Sequence, residues 1–233
     1  MAGVPNDTIL IGLLACAPVF STGFADDAPE ADAAGMPEDA RRLLAAHGLP
    51  VPDPVDSAAR RVVEREVLTP GMPLAAMPVE SLYKPWTSLP GSQFGGSRGL
   101  YLGDAARHVQ SLYDALQVEV PERFAAMPDH LSLLCELLAL YVEAGNDEAA
   151  RRLAQDHFDW LDAYDAALAE RAEQAASAPA YDEEGRAALA RGIGQVRAHV
   201  ALAAGLARLA GQGAPTPDGA QTAPSREERK EAK

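Results

Sequence analysis

The residues best placed to do chemistry sit in one short stretch, MPDHLSLLCELLALYVEAG from Met127 to Gly145, where Asp129 and His130 stand at the mouth of a run of leucines. An acid beside an imidazole can serve as a general acid–base pair, as two metal ligands, or as the cap of a buried helix. The surrounding sequence disfavours the first two uses. No Ser or Cys sits in a nucleophile elbow, no second His lies at zincin spacing, and neither a Walker loop nor a Rossmann glycine pattern is present. Gly95-Gly96 is too isolated to suggest phosphate binding, and His47, His108, His157 and His199 are scattered over separate segments. His157 falls on an apolar stripe, where a satisfied core histidine is the usual outcome. Asp129, after Pro128 and before an apolar helix, can accept the orphan N–H groups of the first turn, a cap worth ~1 kcal/mol. The reading is of a protein that is not an enzyme, with no cofactor and no metal.

Composition narrows the partners. With 233 residues, 48% of them hydrophobic, the chain can build one sizeable core. A formal charge of −14 argues against nucleic acid and anionic membrane surfaces, and favours basic partners. Cys16 and Cys135 are far apart in apolar surroundings and read as reduced, buried thiols. Near the start, ILIGLLACAPVF (Ile9 to Phe20) has the length of a signal-peptide core and a lipobox-like Leu13-Leu14-Ala15-Cys16, but the residues before it include Asp7 and no Lys or Arg. It is read as a core helix capped by Asn6 or Asp7 and ended by Pro18, in a cytoplasmic protein.

The elements that must hold Asp129 and His130 are helical. Pro37 to Gly48 has Pro at the start, acids in the first turn and Gly at the stop; Asp56 or Ser57 caps a second helix through Leu68, with Val63 and Val67 on one face. From Thr69 to Gly99 the chain is dense in Pro and Gly yet carries Leu82, Tyr83, Trp86, Leu89 and Phe94, which predicts a packed, partly exposed loop. A helix is expected from about Leu100 to before Pro121, with Ala105, Val109, Leu112, Tyr113 and Leu116 on one face, and Leu131 to Tyr141 reads as a central helix. Ala150, Leu153, His157, Leu161, Tyr164 and Leu168 form a third stripe; Leu189, Ile193, Val196, Val200, Ala203 and Leu206 form a fourth. No segment alternates with period two, so the expected fold is all-α, a single bundle-like globular domain over residues 1–211. Within it, 26–36 reads as an acidic loop and 69–99 as the Pro/Gly-rich loop, while 212–233 reads as a disordered tail.

The order VEREVLTPGMPL, PVESLYKP, GLYLGDAARHVQSLYDAL, MPDHLSLLCELLALY and HFDWLDAYDAAL, from about Arg61 to Leu168, resembles the TorD/DmsD family of redox-enzyme maturation (twin-arginine proofreading) chaperones. Its most specific marks are Pro128-Asp129-His130-Leu131 and Glu80-Ser81-Leu82-Tyr83. The resemblance implies an all-helical cytoplasmic chaperone. It would bind the twin-arginine signal peptide and apo-form of a molybdopterin-dependent oxidoreductase subunit, assist cofactor insertion and delay export. Two departures stand out: Met127 replaces the acid that often precedes the Pro, and Glu66-Val67 stand where a Leu-Phe pair is frequent, with Trp86 supplying an aromatic from another position.

Such a peptide presents two guanidinium groups and then an apolar stretch, so its receptor needs carboxylates beside a hydrophobic groove. Asp129 at the lip of the Leu131, Leu134 helix offers one such junction, and Glu80 beside Ser81, Leu82 and Tyr83 offers another. On this reading Asp129 is both cap and recognition residue, and His130 a positioned polar contact. A generic helical interaction module and a surface lipoprotein are the alternatives.

Overall fold

A computed structural model describes residues 4–22, 36–54 and 56–212. It is all-α, with eight helices among the described residues. These are α1 (Asn6–Cys16), α2 (Glu38–Ala46), α3 (Ser57–Glu66), α4 (Asp104–Leu116), α5 (Leu131–Glu143), α6 (Asp147–His157), α7 (Leu161–Ser177) and α8 (Glu183–Gln212). Most of the expected acidic loop and the tail from residue 213 lie outside the described residues.

The long α8 is the spine, packed against α1, α3, α6 and α7, and it buries all six residues of the fourth predicted stripe. Close approach to α3 depends on Gly192, where a Cβ would lie 2.4 Å from a Val63 methyl and 2.7 Å from the Ala59 carbonyl oxygen. Helix α5 is apolar nearly all round and exposes only the narrow strip Glu136, Leu140 and Glu143. This is the pattern of a helix surrounded by others, here α1 and α6. The thiols of Cys16 and Cys135 are free and buried, and burial holds both well above the ordinary thiol range.

Helix α1 starts at Asn6, but neither Asn6 nor Asp7 caps it; Pro5 holds that position without a side-chain bond. Its far end continues through Pro18 as a 3-10 turn, Ala17–Phe20. The buried Arg60 of α3 holds that turn by donating to the carbonyls of Pro18, Val19 and Ser21 while pairing with Glu64 at 2.5 Å. One guanidinium thus satisfies the orphan carbonyls of a helix end. Asp56 caps α3 as expected, accepting from the amides of Ala58 and Ala59.

Two further expectations are corrected. Helix α4 begins at Asp104, because Leu102 and Gly99 before it take positive φ angles of 60° and 79°, and it ends at Leu116 with left-handed Gln117. It therefore buries Ala106, Val109 and Tyr113, leaving Leu116 exposed. The stripe from Ala150 to Leu168 belongs to two helices. The Trp160 indole donates to the His157 carbonyl at 2.8 Å, closing α6 where the apolar period would have carried it on.

Candidate functional site

The Pro/Gly-rich segment after α3 is pinned to the start of α5. Leu131 N–H donates to the Pro78 carbonyl at 2.8 Å, Glu80 N–H donates to the Asp129 carbonyl at 3.2 Å, and Val79 pairs with His130 in an isolated antiparallel bridge. These bonds place the 3-10 turn Glu80–Leu82 directly against the Pro128-Asp129-His130 turn. The two clusters singled out in the sequence, separated by nearly fifty residues, form one constellation.

Within it Asp129 does not cap α5. Its Oδ2 accepts from the Ser81 amide at 2.7 Å and the Ser81 hydroxyl at 2.5 Å, and the side chain is fully buried rather than at a lip. The cap is His130, whose Nδ1 accepts from the Ser132 amide at 3.2 Å. The competing donor explains the exchange: the Glu80–Leu82 turn brings Ser81 to Asp129, a long-range bond that local capping rules do not anticipate. Burial pushes the Asp129 carboxyl up, opposed by the two Ser81 bonds and reinforced by the charge of Glu80. Burial, with Arg123 nearby, pushes the His130 imidazole down to about 3, so it is neutral at physiological pH. Asp129 Oδ1 is buried without a hydrogen-bond partner among the described residues.

Glu80 is equally buried and anchors a second network. Its Oε2 accepts from His157 Nδ1 at 2.7 Å, and His157 Nε2 meets His108 Nδ1 at 2.8 Å. A consistent assignment has His157 donate to the carboxylate and accept from His108. Glu80 Oε1 faces the Lys84 ammonium at 2.8 Å, an ion pair rather than a well-directed hydrogen bond. Lys84 is also held by Asp159 Oδ1 and donates to the Asp156 carbonyl, each at 2.6 Å. Burial works against this ammonium, but Glu80 and Asp159 outweigh it and raise its pKa. His108 and His157 face an open hollow of about 460 Å³ lined also by Tyr141, Asn146, Glu148 and Arg152. Among the described residues no group of three or more His, Cys, Asp or Glu side chains could hold a metal ion.

The other candidates divide between interior and surface. Pro128, Leu131 and Leu134 are buried, as are Ser81 and His130. Tyr83 stacks on Trp160 at 5.3 Å between ring centroids and donates its hydroxyl to the Met77 carbonyl, while Leu82 and Trp86 are half-buried. Trp86 organises the outer loop: its amide donates to Ser97, its carbonyl accepts from Asp104 and its indole donates to the Tyr101 carbonyl at 3.1 Å. Phe94 meets the ring edge-on and Arg107 lies over it. That loop brings Tyr101 near Asp129, whose charge, after burial, raises the phenol's pKa. Leu89, Phe94, Leu100 and Leu102 on the same loop are exposed.

Reading the sequence alone did not find Lys84, Tyr101, Asp159 or the His108–His157 link. One signal was available: Lys84 is the only lysine among the described residues, and it follows the Glu80-Ser81-Leu82-Tyr83 cluster directly. The expectation that His157 is a satisfied core histidine holds.

The buried carboxylate turn and the exposed apolar loop beside it sit on an all-helical scaffold. The model of the nitrate reductase delta subunit family matches residues 68–190, more than half of the chain and inclusive of both clusters. The chain belongs to that family, a TorD-type family of redox-enzyme maturation chaperones. The family serves molybdoenzyme maturation, is not catalytic, and its members are cytoplasmic. Neither a curated protein nor a solved structure matches the chain. No helix among the described residues is long and apolar enough to cross a membrane.

Proposed function

We propose that this chain is the cytoplasmic, system-specific chaperone of one molybdopterin-dependent oxidoreductase subunit. It binds the subunit's twin-arginine signal peptide and its apo-form, so that cofactor insertion precedes export. The observation that carries this reading is the interlock of Glu80-Ser81 with Asp129, which sets two carboxylates within reach of each other's charge beside an apolar loop. Asp129 Oδ1 is a buried acceptor with no bond among the described residues, a costly arrangement that a guanidinium N–H, entering as the side chains covering this oxygen shift aside, would convert into a charge-assisted bond. His130 holds the start of α5, Leu131 and Leu134 are buried in the helix that follows it, and Leu82, Trp86 and the exposed loop leucines supply the apolar contact. Tyr83, half-buried and stacked on Trp160, fixes the turn within the same client-binding face.

Calorimetry with the signal peptide of the cognate oxidoreductase tests this. Wild type should bind; Asp129→Asn, which keeps the side chain's shape and can still accept from Ser81, should bind about tenfold to a hundredfold less tightly, the scale of one charge-assisted contact of roughly 1.5 to 3 kcal/mol. A Lys-Lys peptide should also bind less well, since lysine lacks the planar fork. An Asn variant that binds like wild type with an unchanged melt would place recognition elsewhere. Capture of other proteins but no molybdoenzyme subunit would favour the generic interaction module.

A further inference from the structure

We propose that Lys84 is an internal competitor for a client arginine, its ammonium occupying a cation site that the client must take over. The inference rests on the reading that this face binds a twin-arginine peptide. Three oxygens from three places in the chain converge on Lys84 Nζ: Glu80 Oε1 from the 3-10 turn, the Asp156 carbonyl from the last turn of α6, and Asp159 Oδ1 from the α6–α7 connection. The carbonyl end of a helix adds the negative pole of its dipole. The site therefore selects a cation.

Its occupant is unusually replaceable. Arg60–Glu64, buried, and Arg197–Asp165, bidentate, use the planar arginine fork, whereas this pair uses a flexible point charge. The pairing with Glu80 is close but poorly directed. Asp159 is 59% exposed and Lys84 23%, so the site opens to solvent on one side while Glu80 forms its floor. A guanidinium, with five donors in a fork, could address all three oxygens. Glu80 would stay in position during the exchange, because His157 holds its other oxygen and is itself bonded to His108. Twin arginines would then meet two acceptor sites: Asp129 Oδ1, once the side chains covering it shift aside, and the three oxygens released by Lys84. An ion pair that serves only the fold predicts no such gain in affinity when the lysine is removed.

The test compares wild type, Lys84→Met and Lys84→Gln by calorimetry, using the twin-arginine peptide and a version with both arginines replaced by glutamine. An internal competitor in place nine-tenths of the time lowers apparent affinity about tenfold. Lys84→Met should therefore bind the twin-arginine peptide about tenfold more tightly and the glutamine peptide no better. Lys84→Gln, which keeps a neutral donor for Glu80, decides the matter if the Met variant does not fold; its melt is recorded alongside. Arg191→Met, the same charge change on distant α8, should not tighten binding. Equal tightening of both peptides, or tightening by Arg191→Met, would mean loosening or bulk charge and would overturn the proposal. Wild-type binding without gain in either Lys84 variant overturns the competitor and leaves the functional reading standing; no binding by wild type or any variant overturns both.

Discussion

The seam between α3 and α8 and the turn at Asp129 are both closely packed, yet they are built on opposite principles. At its centre the seam is small and apolar: Gly192 lies so close to Val63 and Ala59 that even one added carbon finds no space. The turn is polar and incompletely satisfied: Asp129 keeps one oxygen without a bond among the described residues, and Glu80 shares its charge between a histidine and a lysine. Apolar contact tolerates no substitution of shape but asks for no partner. Buried charge carries a standing cost that a ligand can relieve. The seam is closed by shape, whereas the turn is held by polar bonds that leave one carboxylate oxygen without a partner among the described residues.

The sharpest way to break that contrast is steric. Gly192→Val should cost about 3 kcal/mol, the upper range for overpacking, because the added atoms meet a backbone carbonyl that cannot rotate away. At roughly 2–4 °C per kcal/mol for a chain of this size, the melting temperature should fall by about 6–12 °C. Gly194→Ala on the same helix meets nothing within 4 Å and should instead gain up to ~1 kcal/mol from better helix propensity. Two similar melts would show that α3 and α8 are not pressed together here.

The two regions also differ in how much the sequence discloses. Periodicity identified α5 and all six core positions of α8, since a stripe of Leu, Val and Ile at helical spacing has few other uses. It missed the break at Phe158–Trp160, because the apolar positions keep their phase across it and only the indole bond to His157 marks the end. The paired clusters were legible as the marks that carry the resemblance, and both fall within the residues that match the family, but their geometry was not. Asp129 was expected to cap α5, and nothing local reveals that Ser81, forty-eight residues earlier, supplies its two donors. The exchange of roles with His130 follows from that one long-range contact. Lys84, Asp159 and the two linked histidines belong to separate segments, and only tertiary packing makes them neighbours.

A second comparison lies inside the turn, where adjacent residues respond to acid with opposite signs. His130 is held neutral, its pKa lowered from 6.5 to about 3. Between those values the unfolded chain takes up a proton that the folded one refuses, so its contribution to stability is full above about 6.5 and is lost as the pH falls. The slope approaches about 1.4 kcal/mol per pH unit in that window. His130→Asn keeps a capping acceptor for Ser132 but no titrating ring. It should lose about 1 kcal/mol at neutral pH with the Phe124 contact, and show a flatter decline between pH 6 and 4. Denaturant titrations at several pH values would measure both. An unchanged slope would mean that His130 is protonated in the folded state.

Asp129 gives the smallest effect and the reverse sign. Its folded pKa lies above the ordinary aspartate value of about 3.9, so the unfolded chain binds fewer protons than the folded one between those values. The sign of the linkage makes its contribution unfavourable at neutral pH, with stability recovered as the pH falls through the raised pKa. Asp129→Asn removes the charge while an amide oxygen can still accept from the Ser81 amide and hydroxyl. Two terms then oppose each other: relief of desolvation, and the weakening of two charge-assisted bonds to neutral ones. Burial is the larger of the influences on this carboxyl, so the variant should be as stable as wild type or slightly more stable at pH 7, by ~1 kcal/mol or less. Wild type should close the gap as the pH is lowered toward the ordinary aspartate range. Melts of both proteins from pH 7 to 4 would show that convergence. A variant clearly less stable than wild type at pH 7 would mean that the Ser81 bonds outweigh the burial penalty, and that the carboxylate is retained for the fold rather than held at a cost for a client.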